Sequence, residues 1–223
     1  MSPRRSALGV LLALAVASCG GGDTDDTVVE GSGTGAETPV EAVEQLVDAI
    51  NAPDFATAGR LAVPGQAALA ALAEGAPIDD VAAALRADDP QVGVNFWSGF
   101  AQGAGSFLAS DVTAESGDVI DQDDVEFHVV SVQPVEGDSR TLMVTEADGY
   151  RVDLFASFGS GLADKMIGPV ERLLTTQTDD ARLVLSELQA VVPSLLAAAS
   201  LPGTTAEASQ QLLALIEVIT RFG

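Results

Sequence analysis

The stretch that decides the fold is TPVEAVEQLVDAINAPDFATAGRLAVP, residues 38–64, which predicts two consecutive amphipathic helices. Thr38 is suited to cap the first helix, the proline after it fits the first turn, and Glu41 completes a capping box. Apolar residues follow at positions 40, 43, 46, 47 and 50, on one face of that helix. A second short helix is expected to turn Phe55 and Leu61 inward.

The middle of the chain carries the β-strand patterns. Apolar and polar residues alternate in DVEFHVVSV (residues 124–132), which predicts one strand. RTLMVTEADGYRVDLFAS (residues 140–157) holds Asp148 and Gly149 between two β-rich runs, a hairpin signal. The sequence therefore predicts a three-stranded antiparallel meander, with Val152 and Leu154 on its core-facing side.

Helical patterns flank these strands on both sides. Before them, helices are expected over residues 66–74 and 78–87; after FGSG, the pattern is helical to the last residue. One later helix is expected over residues 165–176, and another begins at Thr178 and is kinked by Pro193. A last helix is expected after Thr204, which forms a capping box with Glu207.

These patterns predict an α+β fold in which N-terminal helices pack on a small antiparallel β-meander, followed by a helical C-terminal extension. The expected boundaries place the α+β domain at residues 38–160 and the extension at residues 161–223.

Two segments resemble domains similar to nuclear transport factor two. Residues 38–64 look like the opening pair of helices of that superfamily, and DGYRVDLFASFG (residues 148–159) is similar to its closing hairpin. The resemblance implies a cone-shaped sheet with a pocket, used in the superfamily by small-molecule isomerases, hydrolases and non-catalytic binding modules. The chain departs from the pattern in its few predicted strands and its trailing helices, and no catalytic acid or base of the superfamily can be matched to a position here.

The N-terminal segment predicts export. Residues 1–18 combine a basic start, an apolar run over residues 7–17 and small residues, which is the pattern of a secretory signal peptide; the run is shorter than the roughly twenty residues of a spanning helix. VASC, residues 16–19, resembles the lipobox of bacterial lipoproteins. The resemblance implies cleavage between Ser18 and Cys19, and attachment of diacylglycerol, with acyl chains such as palmitate, to the Cys19 sulfur. The alternatives are an ordinary signal peptide with a chance cysteine, or a free core cysteine.

The composition of the chain indicates where the protein is located and which partners it does not bind. Residues 19–37 would comprise the lipidated cysteine and an acidic, Gly-rich linker, which we expect to be disordered because it contains little to bury. The chain has 33 Asp plus Glu against 10 Lys plus Arg, a formal charge of −23, which disfavours nucleic-acid binding. We therefore expect an anchored domain at the extracytoplasmic face of the cell membrane.

The candidate catalytic residues are few. His128, the only histidine, is a candidate general base, with Glu126 or Asp153 as the carboxylate that orients it. The simpler interpretation is a half-buried sheet histidine, which we favour. One histidine and one cysteine cannot form a zinc site of the usual type, and no nucleophile elbow or phosphate-binding loop occurs, so no cofactor is expected.

Two further groups of residues have a functional and a structural interpretation. Carboxylates at Asp118, Asp121, Asp123 and Asp124 suit calcium but lack the spacing of an EF-hand loop, so we expect a solvated turn before the first strand and no metal. The second group comprises the aromatic residues Phe96, Trp97, Phe100 and Phe107. They are candidates for lining an apolar pocket, although packing in the core is the simpler interpretation.

The sequence thus predicts a lipid-anchored, non-catalytic binding or scaffolding module for an apolar small molecule or an envelope partner. The alternative is a small-molecule isomerase or hydrolase that uses His128 with a carboxylate. A third possibility is a partner subunit bound through the apolar stripe Leu212, Leu215, Ile216 and Ile219, provided that this stripe is exposed.

Overall fold

The computed structural model describes residues 35–87, 94–103, 112–135, 138–201 and 204–221. These residues form helices in the N-terminal half, a four-stranded antiparallel sheet and a C-terminal helical region, which confirms the α+β class. All of them lie in one unit, Ser32–Gly223. The predicted signal peptide, the lipobox and most of the linker fall outside the described residues.

The N-terminal helices follow the predicted pattern. Thr38 caps the first helix by accepting a hydrogen bond from the Glu41 backbone N–H at 3.2 Å. The apolar stripe of this helix is buried except at Val40, which is half-buried. The helices are α1 (Pro39–Asn51), α2 (Phe55–Leu61), α3 (Gln66–Ala70) continued by a 3-10 turn (Ala71–Glu74), α4 (Ile78–Ala87) and α5 (Val94–Gly103).

The sheet has one strand more than the sequence predicts. The strands are β1 (Val112–Gln122), β2 (Val125–Pro134), β3 (Arg140–Ala147) and β4 (Gly149–Val152). Each strand pairs antiparallel with the next, in the order β1-β2-β3-β4. The hairpin predicted at Asp148 and Gly149 is confirmed, because β3 and β4 meet there and Gly149 takes a φ of 90°.

The acidic segment predicted as a solvated turn is instead strand β1 and the turn that follows it. Asp118 and Asp121 lie in β1, while Asp123 and Asp124 form a two-residue turn with φ of 49° and 66°. Two positive φ values in such a turn are typical of the type I′ hairpin. The strand was missed because most of its side chains are exposed, so it lacks the apolar alternation of a half-buried strand.

The C-terminal helices begin earlier than predicted. Leu154, expected on a strand, is the first residue of a long helix, because β4 ends at Val152 and Asp153 caps that helix. The helices are α6 (Leu154–Thr175), α7 (Asp179–Ala190), α8 (Val192–Ser200) and α9 (Ala206–Thr220). Thr178 caps α7 as predicted. The expected kink at Pro193 is a break between α7 and α8, and the cap of α9 is Thr205 rather than Thr204.

Both faces of the sheet are covered. Buried residues on one face, such as Val130, Leu142 and Val144, belong to the main core, whereas Phe127 and Met143 on the other face form a smaller cluster. The predicted boundary between the α+β domain and the C-terminal extension, at residue 160, lies within α6. The main core contains residues from both sides of this position. The last residues of the predicted linker also pack: the Ala36 backbone exchanges hydrogen bonds with Tyr150 on β4.

Candidate functional site

His128 lies on β2, between Val119 of β1 and Val144 of β3. Its Nε2 atom is 3.1 Å from Oε1 of Glu126, two residues earlier on the same face of the strand. The Tyr150 ring contacts the imidazole edge-on, with the ring centroids 5.2 Å apart. The His128 side chain is 18% exposed and that of Glu126 is 58% exposed, so the pair is partly accessible to solvent.

The contact between His128 and Glu126 is an ion pair when the imidazole is protonated, not a well-aligned hydrogen bond. Nε2 of His128 is buried and has no hydrogen-bond partner among the described residues, despite its distance from the carboxylate. The structure therefore brings together two of the three predicted catalytic candidates. Tyr150 is an aromatic neighbour that the sequence pattern does not reveal.

Asp153, the third candidate, has different partners. Its Oδ1 atom accepts a hydrogen bond from the Ala156 backbone N–H at 2.8 Å, which caps α6. Its Oδ2 atom accepts from Nε2 of Gln66 at 3.0 Å and from Oγ of Ser194 at 2.7 Å. Gln66 in turn accepts from the Leu154 N–H at 2.6 Å. This polar hub joins α3, α6 and α8.

The polar hub is buried, and burial changes the chemistry of its carboxyl group. Asp153 is 3% exposed, Gln66 2% and Ser194 5%. Burial raises the pKa of Asp153 above its ordinary value, and the hydrogen bonds from Ala156, Ser194 and Gln66 oppose the rise. Its described contacts tie helices together, so the geometry supports a structural role for Asp153.

Four aromatic rings meet where α5 approaches α6. The centroid of Phe96 lies 5.2 Å from that of Trp97 and 5.6 Å from that of Phe100. Trp97 and Phe100 are 5.7 Å apart, and Phe100 and Phe158 are 4.8 Å apart. Phe158 comes from α6 and was missed because its segment resembles a hairpin. Phe107 lies outside the described residues.

The aromatic cluster contains a polar atom without a partner. Phe96 and Trp97 are buried, whereas Phe100 and Phe158 are half-buried. The Trp97 indole Nε1 is buried and has no hydrogen-bond acceptor in the described part of the chain. An indole N–H is a donor only, so its partner has to be a hydrogen-bond acceptor.

The other predicted features do not converge on a site. Among the described residues, no group of three or more His, Cys, Asp or Glu side chains is arranged to hold a metal ion. Ser18 and Cys19 lie outside the described residues. The C-terminal stripe is covered within the chain: Leu212, Leu215 and Ile219 are buried and Ile216 is half-buried. The stripe therefore offers no exposed docking surface.

One described helical stretch, Asp179–Ser200, is long and apolar enough to cross a membrane by length and composition. It consists of α7 and α8, and residues such as Val184, Leu188 and Leu195 contribute to the main core. A core helix meets the same criterion, so the stretch carries no argument for a membrane span.

Comparison with known proteins adds no further identification: no protein-family model, curated protein or solved structure matches the chain.

Proposed function

We propose that this protein is a lipid-anchored lipoprotein of the cell envelope and acts as a non-catalytic binding or scaffolding module. The support for the anchor is the order of features at the N-terminus: a basic start, an apolar run at residues 7–17 and VASC at residues 16–19. A cysteine thiol suits thioether formation, and two or more acyl chains give stable membrane residence. The acidic, Gly-rich segment that follows would hold the domain clear of the lipid headgroups.

The anchor is tested by replacing Cys19 in a bacterial host with intact lipoprotein processing. Cys19→Ala should lose acyl labelling and move from the membrane fraction to the soluble fraction. Cys19→Ser, which keeps a similar size and a hydroxyl in place of the thiol, tests whether the sulfur itself is required. It should behave like Cys19→Ala. Unchanged labelling and fractionation in both variants would contradict the anchor.

For the domain, we propose the architecture of nuclear-transport-factor-two-like proteins, with a ligand site at the aromatic cluster. The α1–α2 pair precedes an antiparallel sheet, and α1 contacts all four strands, which supports the architecture. The ligand proposal rests on one observation, the buried and unpartnered Nε1 of Trp97 beside the half-buried rings of Phe100 and Phe158. A buried donor without an acceptor costs about 1–3 kcal/mol, so an apolar molecule with one oxygen acceptor would recover that energy.

The ligand proposal predicts a fluorescence signal, because Trp97 is the only tryptophan of the chain. Methyl palmitate, an apolar ester with a carbonyl acceptor, should change the intensity or the maximum of Trp97 emission in a saturable way. Hexadecane, which lacks an acceptor, is the matched probe and should bind more weakly. Native mass spectrometry after exposure to a lipid extract should show a bound species; no adduct and no change of emission would refute the ligand proposal.

A second candidate function, a small-molecule isomerase or hydrolase, is favoured by the 3.1 Å approach of Glu126 to His128. In this alternative, His128 acts as general base and Glu126 stabilises its protonated form. The test is hydrolysis of p-nitrophenyl butyrate by the wild type, His128→Gln and Glu126→Gln. Loss of activity in His128→Gln, with a shifted pH profile in Glu126→Gln, supports the enzyme; equal rates in all three proteins exclude His128 catalysis of this reaction.

A further inference from the structure

The two edges of the sheet differ. On the β4 side, Tyr150 exchanges two backbone hydrogen bonds with Ala36, and the Val152 carbonyl accepts from the Val63 N–H at 3.0 Å. On the opposite side, β1 pairs with β2 only, and no backbone group beyond β2 bonds to it in the described part of the chain. An outermost strand of this kind presents a row of N–H and C=O groups that another strand can bond.

The outer strand is long and accessible at its centre. β1 has 11 residues, and those from Glu115 to Val119 are all exposed. A bulge lies between Ser116 and Val119, so that Gly117 and Asp118 together oppose one residue of β2. Val119 is 49% exposed, an apolar side chain on this otherwise polar stretch.

The exposed charged side chains of the β1–β2 hairpin are all acidic. No lysine or arginine occurs between residues 112 and 139. The exposed acidic side chains of the hairpin are Glu115, Asp118, Asp121, Asp123, Asp124 and Glu126. Asp121 stands directly opposite Glu126 in the register. Like charges in such a cross-strand pair repel each other, and a cationic side chain placed beside them would relieve the repulsion.

We infer that the outer edge of β1, together with these acidic side chains, is a docking surface for a basic, extended segment of another protein. The partner segment adds a fifth strand to the sheet through backbone hydrogen bonds, while its Lys or Arg side chains lie against the acidic hairpin. This inference rests on the proposed binding role and names the chemistry of the partner, independently of the lipid anchor and of the aromatic cluster.

Charge disfavours the other strands that could add to this edge. A second copy of the chain would bring Glu115, Asp118 and Asp121 against the same acidic residues, which repels self-pairing. The segments of this chain outside the described residues contain only two basic residues, Arg4 and Arg5, both in the predicted signal peptide. A basic strand at this edge therefore comes from a different molecule.

The test uses the full chain and a labelled peptide of about nine residues in which lysine alternates with valine, long enough for one strand. At roughly physiological ionic strength, binding is followed by fluorescence anisotropy. The edge variant Glu115→Gln/Asp118→Asn/Asp121→Asn should weaken binding about tenfold, as expected for three exposed charge contacts. The control variant Glu44→Gln/Asp48→Asn/Glu187→Gln has the same charge change on exposed sites of α1 and α7 and should bind as the wild type does.

A second probe separates strand addition from simple charge attraction. The same peptide, N-methylated at alternate residues on its pairing edge, keeps every charge but cannot donate the backbone hydrogen bonds. It should fail to bind the wild type. The inference is overturned by any of three results: no binding of the unmodified peptide, equal weakening in both triple variants, or equal affinity for the N-methylated peptide. None of these results affects the Cys19 or Trp97 experiments, so failure here is distinct from failure of the proposed function.

Discussion

Replacing Asp153 with alanine is expected to destabilise the protein by about 3 kcal/mol, a large share of the 5–15 kcal/mol that holds a typical domain together. Asp153 Oδ1 accepts from the Ala156 N–H, and loss of such an N-cap costs about 1 kcal/mol. Gln66 and Ser194, both buried, lose their acceptor, at about 1–3 kcal/mol each. The variant no longer buries a carboxyl group, which returns part of this cost.

The measurement is equilibrium unfolding in urea, followed by circular dichroism and extrapolated to zero denaturant. Asp54→Ala is the matched control, because Asp54 also caps a helix, accepting from the Thr57 N–H at 3.1 Å, but does so at the surface. Its loss of stability should be clearly smaller. Asp153→Asn should fall between the wild type and Asp153→Ala, since it keeps an oxygen for the cap but turns an amide toward the two buried donors.

The reasoning is refuted if Asp153→Ala and Asp54→Ala destabilise the protein equally. That result would mean that the polar hub contributes no more than its exposed counterpart, and that α3, α6 and α8 are held by apolar packing alone.

Further predictions concern the protonation of Asp153, two glycines of α6 and the Asp121–Glu126 pair. Burial raises the pKa of Asp153 above its ordinary 3.8, so the folded state binds this proton more tightly than the unfolded state does. The free energy of unfolding should therefore fall as the pH rises from 3.8 through the raised pKa. Urea titrations at several pH values should show this fall in the wild type and not in Asp153→Asn. Gly161→Ala should stabilise α6 by about 0.5–1 kcal/mol, since its added Cβ meets open space. Gly159→Ala should gain less or lose stability in the same urea assay, because its Cβ would lie 3.2 Å from a leucine side chain. Asp121→Asn should raise the Tm by removing the repulsion from Glu126, and a lowered Tm in calorimetry would contradict this.

Sequence patterns predicted the elements that are specified by neighbouring residues. The Thr38 cap, the apolar stripe of α1 and the turn at Gly149 each depend on residues within a few positions, so they can be read from the chain. The α+β class follows from the order of these elements. The capping-box spacing of Thr204 to Glu207 predicts the wrong threonine for α9, because in the structure Thr205 caps this helix by accepting from the Ala208 N–H.

The missed features depend on contacts between distant residues. Gln66 and Asp153 are 87 positions apart, and Asp153 and Ser194 are 41 apart. A local sequence pattern therefore cannot predict the polar hub. β1 was missed because an exposed strand with a bulge has neither apolar alternation nor a constant period. Phe158 joins the aromatic cluster only because α6 begins at Leu154, where the sequence favours a strand.

The proposed function depends most on the fate of residue 19. The direct measurement is the mass of the N-terminal fragment of the native protein, recovered from producing cells and digested with protease. The proposal predicts a fragment that starts at Cys19 and carries acyl chains on that residue. A fragment that still contains residues 1–18, or one with an unmodified Cys19 thiol, would contradict it.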